Sequence, residues 1–293
     1  MNKILVVGGT GTLGKALVSQ LLEKGKSVYV LTRNPKKNPQ LQEAGAILIE
    51  GDLTDKISLR NACKGMDAVI SAAHSMIGKG KYTSEKIDEI GQKSLLEAAN
   101  TEGVSYYVLL SVIGASPDHD IDFWRRKWQT EQLVQSSGMT HNIIRASAFM
   151  EFHIGEMMGK SILEKGKVTV FGKGQNPTNF VSVKDVAHLI VQCINNPKRH
   201  NQIFEIGGLD NMTRLEIIGK YAELKSKSLK INHVPNGALK IMSKLVKPFH
   251  PGLSRVMKLS EVFDRTDQTF DVRPLLKEFP MEMTRIDDFI RNS

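Results

Sequence analysis

The sequence holds only two cysteines, Cys63 and Cys193, far apart and without the spacing of metal ligands. That scarcity argues against a disulfide scaffold or a zinc site and suits buried thiols in a reducing compartment. No apolar run approaches the ~18 residues a membrane span needs. The first residues enter an apolar segment directly, with no basic-then-apolar leader, so a soluble, cytoplasmic protein is expected. Low-complexity tracts and internal repeats are missing too. What remains is 293 residues with 41% hydrophobic content, enough for one large α/β domain or for a domain with an appended lobe.

The opening residues organise the rest. Ile4 to Val7 reads as a buried strand, followed at once by Gly8, Gly11 and Gly14. A helical pattern of Leu13, Leu17, Val18, Leu21 and Leu22 comes next. Strand, glycines and helix in that order form the context in which backbone approaches a pyrophosphate, here along Gly8, Thr10, Gly11, Thr12, Leu13 and Gly14. The helix N-terminus supplies free N–H groups and the positive end of a dipole.

Later strands add candidates at their carboxyl ends, where open α/β sheets place ligands. Ser27 to Leu31 ends in Thr32-Arg33, with Lys36 and Lys37 behind. An acid there would hydrogen-bond a ribose 2′-hydroxyl, whereas a guanidinium pairs with a 2′-phosphate. NADP(H) is therefore preferred over NAD(H), the alternative being a solvated basic turn. Ala46 to Ile49 leads to Asp52 and Leu53, candidates for the adenine edge and face, with helix capping the other use of Asp52. Ala68 to Ile70 leads to Ala72 and Ala73, small enough for a flat cofactor, and to His74, which either faces the cleft or is solvated. An amphipathic helix, Glu85 to Asn100, precedes a strand from Val104 to Leu110 and then Ser111. The acidic loop Pro117 to Asp122 reads as a solvated turn, with no metal assigned. In the next helix, Phe123 to Gly138, Lys127 and Glu131 share a face at i, i+4, the arrangement of a surface ion pair.

Gly8-Gly-Thr-Gly-Thr-Leu-Gly14, Thr32-Arg33, Gly51-Asp-Leu53, Lys127-x-x-x-Glu131, Ser137-Gly138, Arg145-x-x-x-Phe149 and Phe180-Val-Ser-Val-Lys-Asp-Val-Ala187 occur in that order. As a set they resemble the NmrA-like branch of the atypical short-chain dehydrogenase/reductase superfamily. The resemblance covers about the first two-thirds of the chain. It implies a Rossmann-like, doubly wound parallel sheet binding NADP(H) over residues 1–150, and a smaller α/β lobe over 151–293. Phe180 to Ala187 would dock that lobe back. Lys127 would hold the nicotinamide ribose and assist proton transfer, and Phe149 would lie near the nicotinamide. One departure matters: the position of the family's catalytic tyrosine holds Phe123, which has no ionisable proton. Ser111 resembles the family's strand-five serine but has no tyrosine to assist.

The expected function is NADPH-dependent hydride transfer to a small quinone-like or carbonyl substrate, past His74, Phe149, Phe152 and Met157. The alternatives are a non-catalytic NADP(H)-responsive regulator with a protein partner and a membrane-peripheral assembly factor. Asp185 is expected to cap the helix running to Asn195, and Thr213 another. The net charge of +9 is concentrated between Lys220 and Lys258, where nine Lys or Arg meet one acid, Glu223. There Leu239, Met242, Leu245 and Val246 line one side of a helix, to be packed on the lobe. Lys240, Lys244 and Lys247 line another, to be solvated or set against an acidic membrane. Nucleic acid is disfavoured because Phe249 is the segment's lone stacking aromatic beyond its start.

Overall fold

The computed structural model describes residues 1–225 and 228–293. Its elements begin with β1 (Lys3–Val7), α1 (Thr12–Glu23), β2 (Ser27–Thr32), α2 (Pro39–Glu43), β3 (Ile47–Glu50), α3 (Lys56–Cys63) and β4 (Ala68–Ser71). A π-helical segment, Glu85–Gly91, runs into α4 (Gln92–Thr101), followed by β5 (Tyr106–Val112), α5 (Asp122–Ser136), β6 (His141–Ala146) and β7 (Ala148–Phe149). A second π-helical segment, Glu151–Gly159, runs into α6 (Lys160–Lys165), then β8 (Lys167–Phe171), β9 (Thr178–Val181), α7 (Val183–Ile194), β10 (Gln202–Ile206) and β11 (Asn211–Met212). The chain finishes with α8 (Arg214–Leu224), β12 (Lys230–Val234), α9 (Asn236–Val246), α10 (Pro251–Arg265), α11 (Arg273–Glu278) and α12 (Ile286–Arg291). Two compact units result: Met1–Arg145 with Val186–Glu205, and Ala146–Asp185 with Ile206–Ser293.

The first unit is built on a seven-stranded sheet in the order β10-β6-β5-β4-β1-β2-β3. Strand β1 pairs in parallel with β2 and β4, β2 with β3, and β4 with β5. Ile4 to Val7 and Ala68 to Ser71 are buried throughout, so these strands are written as continuous apolar runs rather than alternating ones. The strand order turns back between β1 and β4, and the expected Rossmann-like α/β fold is what forms. Strand β5 starts two residues later than the apolar run suggests: Val104 N bonds Ala99 O in the turn after α4, and Ser105 N bonds Asp67 O just ahead of β4. The helix expected from Glu85 opens as π-helix, and that register buries Ile87, Asp88, Gly91 and Gln92.

The second unit carries a three-stranded sheet, β11-β9-β7, and a two-stranded one, β12-β8. Its core gathers Met150, Ile154, Met158, Phe180, Ile217, Tyr221 and Ile290 among others. Thr213 caps α8 in a reciprocal box with Glu216. Ser182 Oγ accepts from Lys184 N at 3.2 Å, while Asp185 lies a turn inside and its carboxylate receives Thr284 N and Oγ1, each at 3.0 Å. The apolar side expected of α9 is not packed as a whole. Leu239 and Ser243 are buried, but Ile241, Met242, Leu245 and the following Phe249 are exposed. Helix α9 meets α10 at a polar contact of small residues, with Ser254 Oγ donating to Ser243 O at 2.7 Å. Among the described residues, no helix is long and apolar enough to cross a membrane.

Candidate functional site

The β1–α1 turn is shaped by its glycines. Gly8 has φ +92°, and a Cβ on it would stand 2.6 Å from Ala73 N. A Cβ on Gly14 would stand 2.1 Å from Gly8 O, so α1 packs on the turn only with glycine there. Gly11 N donates to Gly8 O at 3.0 Å and is the N-cap of α1. No side chain caps this helix and its first turn carries no acid. Its leading N–H groups therefore suit an anion. Gly11 and Thr12 are exposed and Thr10 is half-buried, with Leu13 and Gly14 buried beneath.

At the end of β2, Arg33 is exposed and its guanidinium lies 4.4 Å from the centroid of the Tyr82 ring. Lys81 Nζ is 5.0 Å from the same centroid and 3.9 Å from Asp52 Oδ2. Tyr82 OH donates to Asp52 Oδ2 at 2.8 Å. Burial pulls the Asp52 pKa upward, but hydrogen bonds from Thr54 and Tyr82, with the Lys81 charge, leave it below the ordinary value. Helix α3 is capped by Asp55, which accepts from Ile57 N, so Asp52 is not its N-cap. Leu53 belongs to the first unit's apolar core. Sequence reasoning missed Lys81 and Tyr82, which come from an unpatterned loop.

The loop after β4 is held from below. Gln92 accepts from Ser71 Oγ at 2.5 Å and donates to Ala73 O at 3.0 Å. Buried Asp88 accepts from Ser75 N at 3.1 and 3.2 Å, one bond to each carboxylate oxygen. Ala72 is buried and Ala73 half-buried. The His74 residue reaches solvent, yet protein packed around its ring lowers its pKa, as does the Lys127 charge; Asp88 opposes both. Its ring stands edge-on to Phe123, with centroids 6.0 Å apart.

Lys127 and Glu131 are not the surface pair their spacing suggests, being 3% and 0% exposed. Lys127 Nζ donates to Leu110 O at 2.9 Å and stands 5.6 Å from the Phe123 centroid. Burial lowers its pKa against the raising effect of Asp88 and Glu131. Glu131 turns to β5 and β6, accepting from Ser111 Oγ and from Arg145. Ser111 is thus engaged by a buried carboxylate. His74, Asp88, Phe123 and Lys127 form one cluster in the first unit, in which a buried ammonium and a histidine flank a ring without a hydroxyl. In the acidic loop, His119 stacks on Trp124 and its Nδ1 accepts from Ile121 N at 3.0 Å.

The remaining expected residues belong to the second unit. Phe149 pairs with Val181 across β7 and β9. Phe152 and Met157 are half-buried in the π-helical segment, whereas Met158 is core.

Residues 8–197 match a protein family described as NAD(P)H-binding. The photosystem II assembly factor Ycf39 of Trieres chinensis is 29% identical over 292 residues, covering 98% of this chain and 91% of the relative. The NAD(P)H azoreductase of Xenophilus azovorans is 30% identical over 215 residues, covering 73% and 71% respectively. The Escherichia coli NADPH-dependent quinone oxidoreductase, solved with NADPH, shares the fold. It superimposes with a TM-score of 0.80 at 17% identity and 99% coverage of both chains.

Proposed function

The chain belongs to the NAD(P)H-binding family, and from that premise we propose that it is an NADPH-dependent reductase delivering hydride to a small quinone-like or carbonyl acceptor. The observation that carries this reading is the uncapped N-terminus of α1 above the Gly8–Gly14 turn, in the same unit as buried Lys127. The bound nicotinamide supplies the hydride. The α1 amides and the loop of Thr10, Gly11 and Thr12 hold its pyrophosphate, Arg33 and Lys81 meet the 2′-phosphate, and Asp52 and Leu53 border the adenine. Ala72, Ala73 and Ser111 belong to the walls of that site. Lys127 positions the nicotinamide ribose.

Proton supply differs from a tyrosine-based reductase. Reducing a quinone to a hydroquinone takes one hydride and one proton: NADPH, quinone and H⁺ give NADP⁺ and hydroquinone. Phe123 has no proton to give. Lys127, made a stronger acid by burial, and solvent-reaching His74 are the groups available to deliver it. The test is NADPH oxidation by purified protein against a panel of quinones, azo compounds and aldehydes. Turnover lost in Lys127→Ala supports the assignment; tight NADPH binding without turnover of any acceptor overturns it.

A second reading draws on α9. The exposed Ile241, Leu245 and Phe249 stand among Lys240, Lys244 and Lys247, an arrangement suited to an anionic membrane surface. The similarity to the photosystem II assembly factor Ycf39 favours the assembly-factor half of this reading. Flotation with anionic liposomes, lost at high salt and on neutralising the three lysines, tests it. Equal flotation with neutral liposomes would remove it.

A further inference from the structure

The Asp52 carboxylate that would border the adenine is already engaged. Its Oδ1 accepts from Thr54 N at 2.9 Å and from Thr54 Oγ1 at 3.0 Å, so that oxygen is turned to its own loop. Oδ2 is the oxygen left for a ligand. It accepts from Tyr82 OH at 2.8 Å and has Lys81 Nζ 3.9 Å away. The half-buried Tyr82 ring packs against the apolar cluster that contains Leu53, and the Arg33 guanidinium stands 4.4 Å from its centroid. These three contacts join a flat ring to an apolar bed, a cation over its face and a carboxylate at its rim. An adenine has the same features, with its exocyclic amine as the donor at the rim.

The main chain that carries Tyr82 is fixed by bonds that do not involve its phenol. Ser75 Oγ donates to Tyr82 O, and Gly78 N donates to Ser75 O at 3.2 Å. A Cβ on Gly78 would stand 1.8 Å from Tyr82 O, so the loop closes this tightly only with glycine there. Ser75 N is held in turn by buried Asp88. Rotation of the Tyr82 side chain therefore releases Asp52 and Arg33 and leaves the loop intact. What keeps the ring in place is one charge-assisted hydrogen bond and one cation–π contact, both near the surface and both replaceable by a ligand.

We propose that Tyr82 occupies the adenine position of the coenzyme site, bonded to Asp52 and stacked with Arg33, and that NADP(H) binds by displacing it. This rests on the reading that Asp52 and Leu53 border the adenine of NADP(H). Apparent affinity for the coenzyme is then reduced by the fraction of chains in which the ring is out. The guanidinium freed from Tyr82 is the one that meets the 2′-phosphate, so displacement and phosphate recognition draw on the same residue. A guanidinium has two faces, and a permanent wall, with adenine stacked on the far side of Arg33, would use the same three residues. The two arrangements predict opposite effects of removing the ring.

The test is calorimetric titration of the full chain with NADP⁺, with 2′,5′-ADP as the adenine half and with nicotinamide mononucleotide as the other half. Tyr82→Ala should bind NADP⁺ and 2′,5′-ADP about tenfold tighter than the wild type. Tyr82→Phe keeps the ring under Arg33 but loses the donor, and should tighten both by about threefold. Nicotinamide mononucleotide has no adenine, so its binding should be the same in all three proteins. Weaker or unchanged binding of 2′,5′-ADP in Tyr82→Ala overturns the displacement and makes Tyr82 a wall or a bystander. Equal tightening of nicotinamide mononucleotide overturns it too, because the effect would not belong to the adenine position. If Tyr82→Ala fails to fold, Tyr82→Phe decides: a dissociation constant for 2′,5′-ADP at or above that of the wild type overturns the proposal. Failure of NADP⁺ and 2′,5′-ADP to bind to any of the three proteins would end the coenzyme reading itself, an outcome distinct from tight binding that Tyr82 does not oppose.

Discussion

Arg145 grips the buried carboxylate of Glu131 through two parallel hydrogen bonds, Nε to Oε1 at 3.0 Å and Nη2 to Oε2 at 2.7 Å. Ser111 Oγ donates to the same carboxylate, and Arg145 Nη1 continues to Glu205 at 3.2 Å. Side chains of α5, β5, β6 and β10 are thereby joined behind Lys127. Arg145→Met should strand a charge that is fully buried, costing about 3–5 kcal/mol of stability. Adding Glu131→Leu should recover much of the loss, because two apolar groups then replace the pair. Urea denaturation of wild type, single and double variants checks this; additive losses would mean the pair does not act as a unit.

Coenzyme choice should follow Arg33 and Lys81. Both are exposed cations beside Tyr82, and only NADPH brings a 2′-phosphate to them. Arg33→Ala should weaken NADPH binding by about tenfold or more and leave NADH nearly unchanged. Lys81→Ala should do the same to a smaller degree, and both effects should shrink with added salt. Fluorescence titration with each coenzyme is the measurement. Equal losses for NADPH and NADH would remove the phosphate assignment.

The turn between β1 and α1 should tolerate no side chain at Gly14. A methyl there would meet Gly8 O at 2.1 Å and Gly9 Cα at 2.5 Å, and both are backbone atoms that cannot swing aside. Gly14→Ala is expected to lower the melting temperature and abolish coenzyme binding together. Gly25→Ala is a useful contrast: open space surrounds that Cβ and only its φ of +70° is strained, so stability should fall and binding survive.

This turn was legible because its chemistry is local: a strand buried on both faces, glycines at close contacts and a helix follow one another within Lys3–Glu23. The cluster around Lys127 was legible only in part. Lys127 and Glu131 read as an exposed ion pair because the partners that bury them, Leu110, Ser111 and Arg145, come from other strands. Asp88 was hidden more completely. In the run Glu85, Asp88, Glu89 it looks like one more solvated acid, and the π-helical register that turns it inward leaves no mark in the periodicity. On α9, periodicity was read correctly as amphipathic, but which side packs was decided by the Ser243–Ser254 contact.

Restoring a hydroxyl at Phe123 should separate two kinds of acceptor. The ring is 4% exposed, with Lys127 Nζ 5.6 Å from its centroid, and edge-on to His74. Phe123→Tyr should raise kcat on aldehydes and ketones, whose alkoxide needs a positioned acid, by at least about tenfold. Quinone reduction, which forms a stabilised oxyanion, should change little. Steady-state kinetics on both classes checks the split. A uniform change would mean that protonation does not limit carbonyl reduction.

Acid should destabilise the second unit through His153. Its pKa falls from the ordinary 6.5 to about 3 in the folded chain, burial being the larger cause and Arg214 the smaller. Above pH 6.5 the ring is neutral in both states, and its contribution to stability is complete. As pH falls toward 3, the unfolded chain takes up a proton that the folded chain refuses, so stability declines by at most about 1.4 kcal/mol per pH unit. Below that folded value both states are protonated and the decline ends. His153→Phe keeps the ring and removes the titration, so its stability should fall less steeply across the same window. Other histidines with lowered pKa, such as His74 and His119, contribute to both proteins and cancel in the difference. Urea denaturation at a series of pH values gives that difference directly; parallel curves would show that the folded chain binds the proton at His153 as readily as the unfolded one.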